Sequence, residues 1–269
     1  MMKLRTYQTL WGWEGSAEEA LLAARGRGFD GLEGRMREGW EDVFCESDYI
    51  AEIVTGDDYA PKIRKGIREH GDDLRQGIEA SLKGKPRFAN VLAGCDWWSF
   101  ADKVAFGEMF LEMEKEYQLP LSLETHRSRL TFHPWVTRDL LTELPELMLT
   151  CDFSHWCCVT ERLVMDEEPE LLRLLASRCR HVHARVGYDQ GPQVPAPRLE
   201  KYREELEAHL RWWKSLWDFS KLHERDEFTM TPEFGPDGYQ QSSPESGEVF
   251  APLGEINSWM GDCLRAVFR

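Results

Sequence analysis

Residues 149–156 read LTCDFSHW, a short apolar run that ends in the polar side chains of Asp152, Ser154 and His155. The apolar part has the length and composition of a buried strand. A carboxylate and an imidazole at the tip of such a strand lose their hydration, which is unfavourable unless another group compensates. Three interpretations follow: a structural salt bridge, a cap, or a functional site.

Similar strand-like runs recur on both sides of this one. The eight runs are KLRTYQTL (3–10), FDGLEG (29–34), DYIAEIV (48–54), RFANVLAG (87–94), LPLSLETH (119–126), LMLTCDFS (147–154), RHVHARVG (180–187) and EFTMTPEFG (227–235). The segments between them have helical spacing: 17–27, 59–83, 99–117, 136–144, 161–178, 197–222 and, less clearly, 35–45. This alternation predicts a parallel sheet closed into a (β/α)8 TIM barrel, and no linker divides residues 1–269, so we expect a single domain.

The composition disfavours several classes of protein. The 269 residues, 42% of them hydrophobic, suit a barrel of about 250 residues. A net charge of -15 repels nucleic acid and anionic membrane surfaces. Seven cysteines without a CxxC pair indicate a reducing compartment. Residues 1–15 contain no apolar signal region, and no apolar run approaches ~18 residues, so we expect a cytoplasmic protein without a membrane span.

Four consecutive strands end in side chains that can bind a metal. Glu124 ends the fifth strand, Asp152 the sixth, His183 the seventh and Glu233 the eighth. In a parallel barrel these endings meet at one rim, together with the loops at 187–197 and 234–252, which either build a site or are plain surface. Three carboxylates and one imidazole form a hard ligand set, which favours one divalent metal, Mn²⁺ or Mg²⁺, with Co²⁺ and Zn²⁺ as alternatives.

Strand alternation adds two histidines to this group. Residues two apart on a strand face the same way, so His126 accompanies Glu124 and His181 accompanies His183. His126 is a candidate for substrate binding, whereas His181 is better explained as a buried core histidine. His155 lies three residues after Asp152 and is assigned to substrate or to a partner of the metal ligands, with a structural role as the alternative.

Several other candidates have ordinary structural explanations as well. Glu33 ends the second strand, where it could meet a substrate hydroxyl or simply be solvated. Trp11 and Trp97 follow strands and could stack on a sugar ring or belong to the core. Arg185 and Arg127 would suit a phosphate or carboxylate on the substrate, or could pair with nearby acids. The sequence has no Walker loop, no G-x-S-x-G and no H-E-x-x-H motif.

The motifs SLETH, DFSHW, HVH and PEFG, in this order on successive strands, resemble the xylose isomerase-like TIM barrels, the sugar phosphate isomerase/epimerase superfamily. The resemblance spans nearly the whole chain. It implies that Glu124, Asp152, His183 and Glu233 bind one divalent metal. It also implies that the two glutamates form an acid/base pair and that His155 contacts the substrate.

The chain departs from parts of that family at specific positions. Ketose 3-epimerases carry an arginine six residues after the histidine ligand, where this chain has Asp189. Hydride-shifting aldose isomerases have a lysine two residues after the first glutamate, where this chain has His126. Endonuclease relatives use three zinc ions and bind DNA, which the charge of -15 disfavours. Proton transfer is therefore expected rather than a hydride shift.

These observations predict a divalent-metal-dependent isomerase or epimerase of a sugar or sugar phosphate. Glu124 and Glu233 would transfer the proton through a metal-bound enediolate. One alternative is a dehydratase of a keto-polyol on the same barrel, with His155 or His126 as the acid. Another is a catalytically silent barrel that binds a metabolite. The expected partner is a small-molecule sugar or polyol ketone, and the resemblance is compatible with a homo-oligomer.

Overall fold

The computed structural model describes residues 2–60, 65–236, 238–243 and 245–269. Its parallel strands close into a barrel in sequence order, with β1 paired to both β2 and β8. The strands are β1 (Lys3–Thr9), β2 (Gly31–Gly34), β3 (Asp48–Val54), β4 (Ala89–Leu92), β5 (Leu121–Glu124), β6 (Leu149–Cys151), β7 (Cys179–His183) and β8 (Glu227–Thr231). The predicted (β/α)8 barrel is confirmed.

Helices connect the strands and form the outer layer. They are α1 (Ala17–Gly26), α2 (Glu41–Glu46), α3 (Ile67–Leu82), α4 (Phe100–Tyr117), α5 (Pro134–Glu143), α6 (Ser154–Thr160), α7 (Pro169–Arg178), α8 (Arg203–Leu222) and α9 (Leu253–Val267). Their starts follow local chemistry. Ser16 and Glu19 form a capping box at α1, and Pro134 and Pro169 occupy the first turns of α5 and α7.

Four helix predictions differ from the structure. The segment 35–45 is helical only from Glu41. The segment 59–83 is helical only from Ile67, and its residues 61–64 lie outside the described part of the chain. The segment 161–178 is helical from Pro169, because Glu161 adopts a left-handed conformation (φ 53°) that ends α6. The segment 197–222 begins with a 3₁₀ turn before α8 starts at Arg203. The helix α9 was not predicted.

The barrel interior changes from apolar to polar along the strands. Tyr7, Ile50 and Phe88 form a small buried cluster. The ring of His181 packs against Tyr7 and Phe88, with centroid distances of 6.3 and 5.5 Å. His183 comes two residues later on the same strand, at its carboxyl end. The apolar cluster therefore forms a floor beneath the polar strand endings.

Within the described ranges, no helix combines the length and the apolar character that a membrane crossing requires.

Candidate functional site

The four predicted strand endings meet at the carboxyl end of the barrel. Each of Glu124, Asp152, His183 and Glu233 offers one ligand atom, and these atoms all lie within 4.8 Å of one another. The Nδ1 atom of His183 is 3.0 Å from a carboxylate oxygen of Glu233 and 3.6 Å from one of Glu124. All four residues are buried. Strand order thus brings residues more than 100 positions apart into one cluster.

Glu33 determines how His183 is oriented. One carboxylate oxygen of Glu33 accepts a hydrogen bond from His183 Nε2 at 2.9 Å, and the other lies 3.2 Å from His181 Nε2. His183 Nδ1 is buried and has no hydrogen-bond partner among the described residues. When the imidazole is neutral, this arrangement leaves the Nδ1 lone pair directed at the carboxylates. Glu33, considered above for substrate, has both oxygens bound by imidazoles.

Asp152 is held by Ser154, which is close in sequence, and by Arg185, which is close in space. Its Oδ1 atom accepts hydrogen bonds from the Ser154 backbone N–H (2.9 Å) and hydroxyl (2.5 Å). Its Oδ2 atom accepts a hydrogen bond from Arg185 Nη2 at 2.5 Å. The polar ending of LTCDFSHW is therefore compensated within the protein. The salt bridge is therefore present, and it lies within the cluster of candidate metal ligands.

Arg185 is fully engaged inside the cluster. Besides Asp152, its guanidinium lies 3.5 Å from a carboxylate oxygen of Glu233 and donates to His155 Nε2 at 2.6 Å. Its guanidinium carbon Cζ also lies 5.5 Å from the Trp11 ring centroid. These contacts pair Arg185 with two of the candidate metal ligands. Arg185 also lines the inner pocket, and its contact with a substrate stays a prediction.

The two histidines assigned to substrate lie side by side. The rings of His126 and His155 are 3.9 Å apart between centroids, and both side chains are buried. His126 Nδ1 hydrogen-bonds to the backbone carbonyl of Arg127. Burial lowers the pKa of His126 to about 3, and burial with nearby cations holds the pKa of His155 well below its usual value. Both imidazoles are therefore neutral at pH 7.

The two candidate acid/base glutamates have opposite pKa shifts. Burial raises the pKa of Glu124, but His183, His126 and a hydrogen bond from Asn90 outweigh it and lower the pKa to about 2. Burial raises the pKa of Glu233 to about 7, although His183 and Arg185 oppose the change. Without a bound cation, one glutamate is ionised at neutral pH and the other titrates there.

A narrow inner pocket of about 10 Å³ opens directly on this cluster. Its lining residues combine polar groups with aromatic walls: Trp11, Tyr59, Leu92, Glu124, His126, Arg185, Glu233 and Tyr239. A wider outer cavity of about 440 Å³ shares Trp11, Tyr59, His126 and Tyr239 with it. Trp97 is 45% exposed and, among the described residues, lines neither cavity. Trp11 lines both cavities, and contact of either tryptophan with a substrate stays a prediction.

Two residues of the site were missed in the sequence. Asn90 on β4 donates a hydrogen bond to Glu124 at 2.7 Å, and its signal was a lone polar residue in the apolar run RFANVLAG. Arg129 is fully buried and donates to the backbone carbonyls of Thr55 and Tyr59 at 2.7 and 3.0 Å. It thereby holds the loop that places Tyr59 in the pocket wall. Nothing in the local sequence distinguishes Arg129 from a surface arginine.

The donor set fits a divalent cation. Three carboxylates supply hard oxygen ligands, and the buried Nδ1 of His183 supplies a nitrogen that lacks another partner among the described residues. Burial disfavours charge on His183, but Glu233, Glu33 and Glu124 raise its pKa well above the usual value. Without a bound cation, the proton on His183 therefore offsets the negative charge of the surrounding carboxylates. Asp152 would be shared between the cation and Arg185.

No protein-family model matches this chain, and no curated protein matches it. Solved structures share its fold. The chain is similar to AsbF of Bacillus anthracis, a probable 3-DHS dehydratase involved in petrobactin synthesis, at 14% identity and a TM-score of 0.62, over 98% of this chain and 99% of that chain. It is similar to a D-allulose 3-epimerase from Methylomonas sp. in complex with D-allulose, at 12% identity and a TM-score of 0.61, over 100% and 98%.

A third similar structure is the IOLI protein with a bound zinc atom, at 13% identity and a TM-score of 0.65, covering 99% of this chain and 98% of that chain. At these identities the likeness is one of fold. It confirms, at the level of the fold, the resemblance to xylose isomerase-like TIM barrels that the four strand endings indicated.

Proposed function

We propose that this chain is a divalent-metal-dependent isomerase or epimerase of a sugar, sugar phosphate or polyol ketone. The observation that carries the proposal is the cluster of Glu124, Asp152, His183 and Glu233 at the inner pocket, in which two glutamates have pKa values shifted in opposite directions. Pairs of carboxyl groups with separated pKa values are typical of acid/base catalysis.

Glu124, Asp152, His183 and Glu233 would hold the metal, with Mn²⁺ or Mg²⁺ favoured by the oxygen ligands and Co²⁺ or Zn²⁺ as alternatives. When bound, the metal would polarise the substrate carbonyl and stabilise negative charge on its oxygen. It would also lower the pKa of Glu233, because a nearby cation favours the ionised carboxylate.

The protein's own groups would move the proton. Glu124 and Glu233 belong to β5 and β8, which are not neighbours in the barrel, so the two carboxyl groups reach the pocket from different sides. One glutamate would remove a proton from the carbon beside the carbonyl, and the electron pair would form an enediolate. Return of a proton from the other side would epimerise that carbon, while return at the neighbouring carbon would isomerise the sugar.

The dehydratase alternative receives less support. It requires an acid that protonates a leaving hydroxyl, and the candidates His126 and His155 are neutral because burial lowers their pKa values. Neutral imidazoles are weaker acids than imidazolium ions. Glu233, whose pKa is raised to about 7, is the better acid, and it serves epimerisation equally well. A silent metabolite-binding barrel would not require two glutamates at the pocket.

The proposal is tested by deuterium exchange from D₂O into a panel of ketoses, their phosphates and inosose-like ketones, with metal content measured on the same protein. We expect deuterium at a carbon beside the carbonyl, and a decrease of at least about 100-fold in Glu124→Gln. That variant should retain most of its metal. Glu146→Gln, on the exposed surface, is the matched control.

Two results would contradict this proposal. One is exchange at the wild-type rate in Glu124→Gln, which would remove that glutamate from the reaction. The other is absence of metal after Mn²⁺ addition, which would remove the four-ligand site. Loss of one water mass from a substrate, with no epimer or isomer formed, would instead identify the dehydratase.

A further inference from the structure

The outer cavity is continuous with the inner pocket. Trp11, Tyr59, His126 and Tyr239 line both spaces, so a molecule with one end at Glu124 and Glu233 would extend outward between these side chains. The outer cavity has a volume of about 440 Å³, compared with about 10 Å³ for the inner pocket, so most of a bound molecule would lie in the outer cavity. The outer residues would therefore contact the group that the substrate carries at its distal end.

The arginines around these two spaces differ in how they are occupied. Arg185 is paired with Asp152 and Glu233. Arg129 donates to backbone carbonyls, and Arg35 is paired with Glu52 at 3.0 Å. The guanidinium groups of Arg185 and Arg129 are already committed to the protein, and Arg35 lines neither space, so none of the three is a good candidate for binding an anion here.

Arg127 is different. It lines the outer cavity, is half-buried, and has no carboxylate within ion-pair distance among the described residues. Its guanidinium carbon lies 5.0 Å from the ring centroid of Tyr239. In a protein of net charge -15, an arginine without an acidic partner at a cavity wall is available to an anion.

We propose that Arg127 determines specificity by binding an anionic group, a phosphate or a carboxylate, at the distal end of the substrate. This inference rests on the proposed function, because it assumes that the hydroxy-ketone end reacts at Glu124 and Glu233. The planar guanidinium forms paired hydrogen bonds with either anion. Trp11 and Tyr59 supply flat apolar walls for the carbon skeleton between the two ends.

Asp58 lies on the same cavity wall, and its negative charge allows a second test of whether charge governs anion binding there. Its carboxylate accepts the backbone N–H of Tyr59 at 2.7 Å. Asn in its place can still accept that hydrogen bond but carries no charge. If charge governs binding here, removal of the Asp58 charge and removal of the Arg127 charge should act in opposite directions.

The test compares three ketohexose probes that differ only at carbon 6: D-fructose, D-fructose 6-phosphate and D-fructuronate. Dissociation constants are measured by calorimetry on the metal-loaded, full-length protein. We expect at least one anion to bind about 10- to 100-fold more tightly than fructose, and this preference to disappear in Arg127→Gln. Which anion is preferred distinguishes phosphate from carboxylate. Arg138→Gln on α5, an exposed arginine, is the control and should leave all three constants unchanged.

The Asp58→Asn variant should bind the preferred anion more tightly than the wild type. Equal affinity for all three probes, absence of binding by both anions, or a preference that survives in Arg127→Gln would each overturn the proposal. Weaker binding in both Arg127→Gln and Asp58→Asn would do the same, because it would indicate a disturbed loop rather than a charge effect. Failure of the anion site can be distinguished from failure of the proposed function. If Arg127→Gln still exchanges deuterium into neutral ketoses at the wild-type rate, the proposed function is retained whether or not an anion binds.

Discussion

One carboxylate, that of Glu33, contacts two imidazoles in this barrel. Its oxygens lie 2.9 Å from His183 Nε2 and 3.2 Å from His181 Nε2. Burial raises the pKa of Glu33, but the two histidines outweigh burial and hold it below its ordinary value. Glu33 therefore stays ionised and acts as an acceptor for His183 Nε2–H. These contacts give Glu33 a positioning role toward His183, and its contact with a substrate stays a prediction.

Replacing Glu33 with glutamine tests this positioning role. The amide keeps the size of the side chain but loses the charge that orders His183, so we expect the metal dissociation constant to rise about 10- to 100-fold. Calorimetric titration of the metal-free protein with Mn²⁺ measures this constant without any activity assay. Glu146→Gln controls for a general loss of negative charge. Unchanged Mn²⁺ affinity in the Glu33 variant would show that His183 is ordered by other contacts.

At the level of single residues, the sequence could predict which side chains lie at the same rim, but it could not predict their hydrogen-bond partners. Strand alternation placed Glu124 and His183 at the rim because side-chain direction follows from the backbone alone. The pairing of Arg185 with Asp152 depends on side-chain rotamers and on a neighbouring strand, and neither is encoded locally. The hydrogen bond from Asn90 to Glu124 depends on the same information.

At the level of elements, the loop after β7 packs directly on the first turn of α6. A Cβ atom on Gly187 would lie 2.5 Å from the backbone oxygen of Ser154 and 2.6 Å from its Cα atom. The N–H of Gly187 also donates to His209 Nε2 on α8, at 3.2 Å. Glycine is needed here because two backbone segments approach closely, and this approach positions the turn that carries Asp152 and His155.

Gly187→Ala should therefore destabilise the protein. The colliding atoms belong to the backbone and cannot rotate away, so we expect a loss of about 1–3 kcal/mol in the free energy of unfolding. Urea denaturation measures this loss. Gly39→Ala offers a control, since a Cβ atom there would meet nothing within 4 Å, although its positive φ of 81° adds some backbone strain. A Gly187 variant as stable as the wild type would show that α6 can move without cost.

The contact between α3 and the end of β4 should make stability depend on pH. His70 on α3 is buried, and its Nδ1 atom accepts the backbone N–H of Gly94 at 3.3 Å. Burial, together with Arg129, lowers the pKa of His70 to about 4. The unfolded chain binds the proton more readily than the folded chain. The neutral His70 therefore contributes fully to the free energy of unfolding above pH ~6.5, and this contribution is lost as the pH falls towards 4.

The expected loss at His70 is about 3 kcal/mol between pH 6.5 and pH 4. Urea denaturation at a series of pH values should show a shallower decrease over this interval in His70→Gln, because glutamine does not titrate. His223→Gln, at an exposed histidine after α8, should follow the wild-type curve. Parallel curves for wild type and His70→Gln would mean that His70 is protonated as easily in the native state as in the unfolded chain.

Element boundaries were harder to predict than element types, for local reasons. The segment 161–178 has helical spacing throughout, yet the left-handed Glu161 and the proline at 169 divide it. The unpredicted helix α9 carries buried Ile256, Met260 and Leu264 at a spacing of four, a helical signal present in the sequence. It follows a polar loop and contains Gly254 and Gly261, which obscured that signal.

At the level of the whole molecule, the closed barrel followed from the number and alternation of elements. Parallel strands joined by helices run in one direction, so every carboxyl end lies at the same rim, and strand order then brings distant residues together. Strand direction alone determines this convergence. The shapes of the loops around the pocket depend on side-chain packing, which is why the position of Trp97 away from the cavities and the place of Tyr59 in the pocket wall were not predicted.

Because the cluster belongs to four strands, metal binding should stabilise the entire barrel. Glu124, Asp152, His183 and Glu233 connect β5, β6, β7 and β8, and the ligand set exists only in the folded chain. At a free metal concentration 100 times the dissociation constant, the stabilisation is about 2.7 kcal/mol. For a chain of this size that corresponds to a rise of about 5–10 °C in Tm.

Scanning calorimetry with EDTA and then with excess Mn²⁺ measures this difference on the full-length protein. His183→Gln should show no change in Tm between the two conditions, whatever its own stability, because it lacks the only nitrogen ligand of the cluster within the described residues. A wild-type Tm that is the same with EDTA and with Mn²⁺ would mean that Arg185 and the proton on His183 compensate the buried carboxylates without a metal.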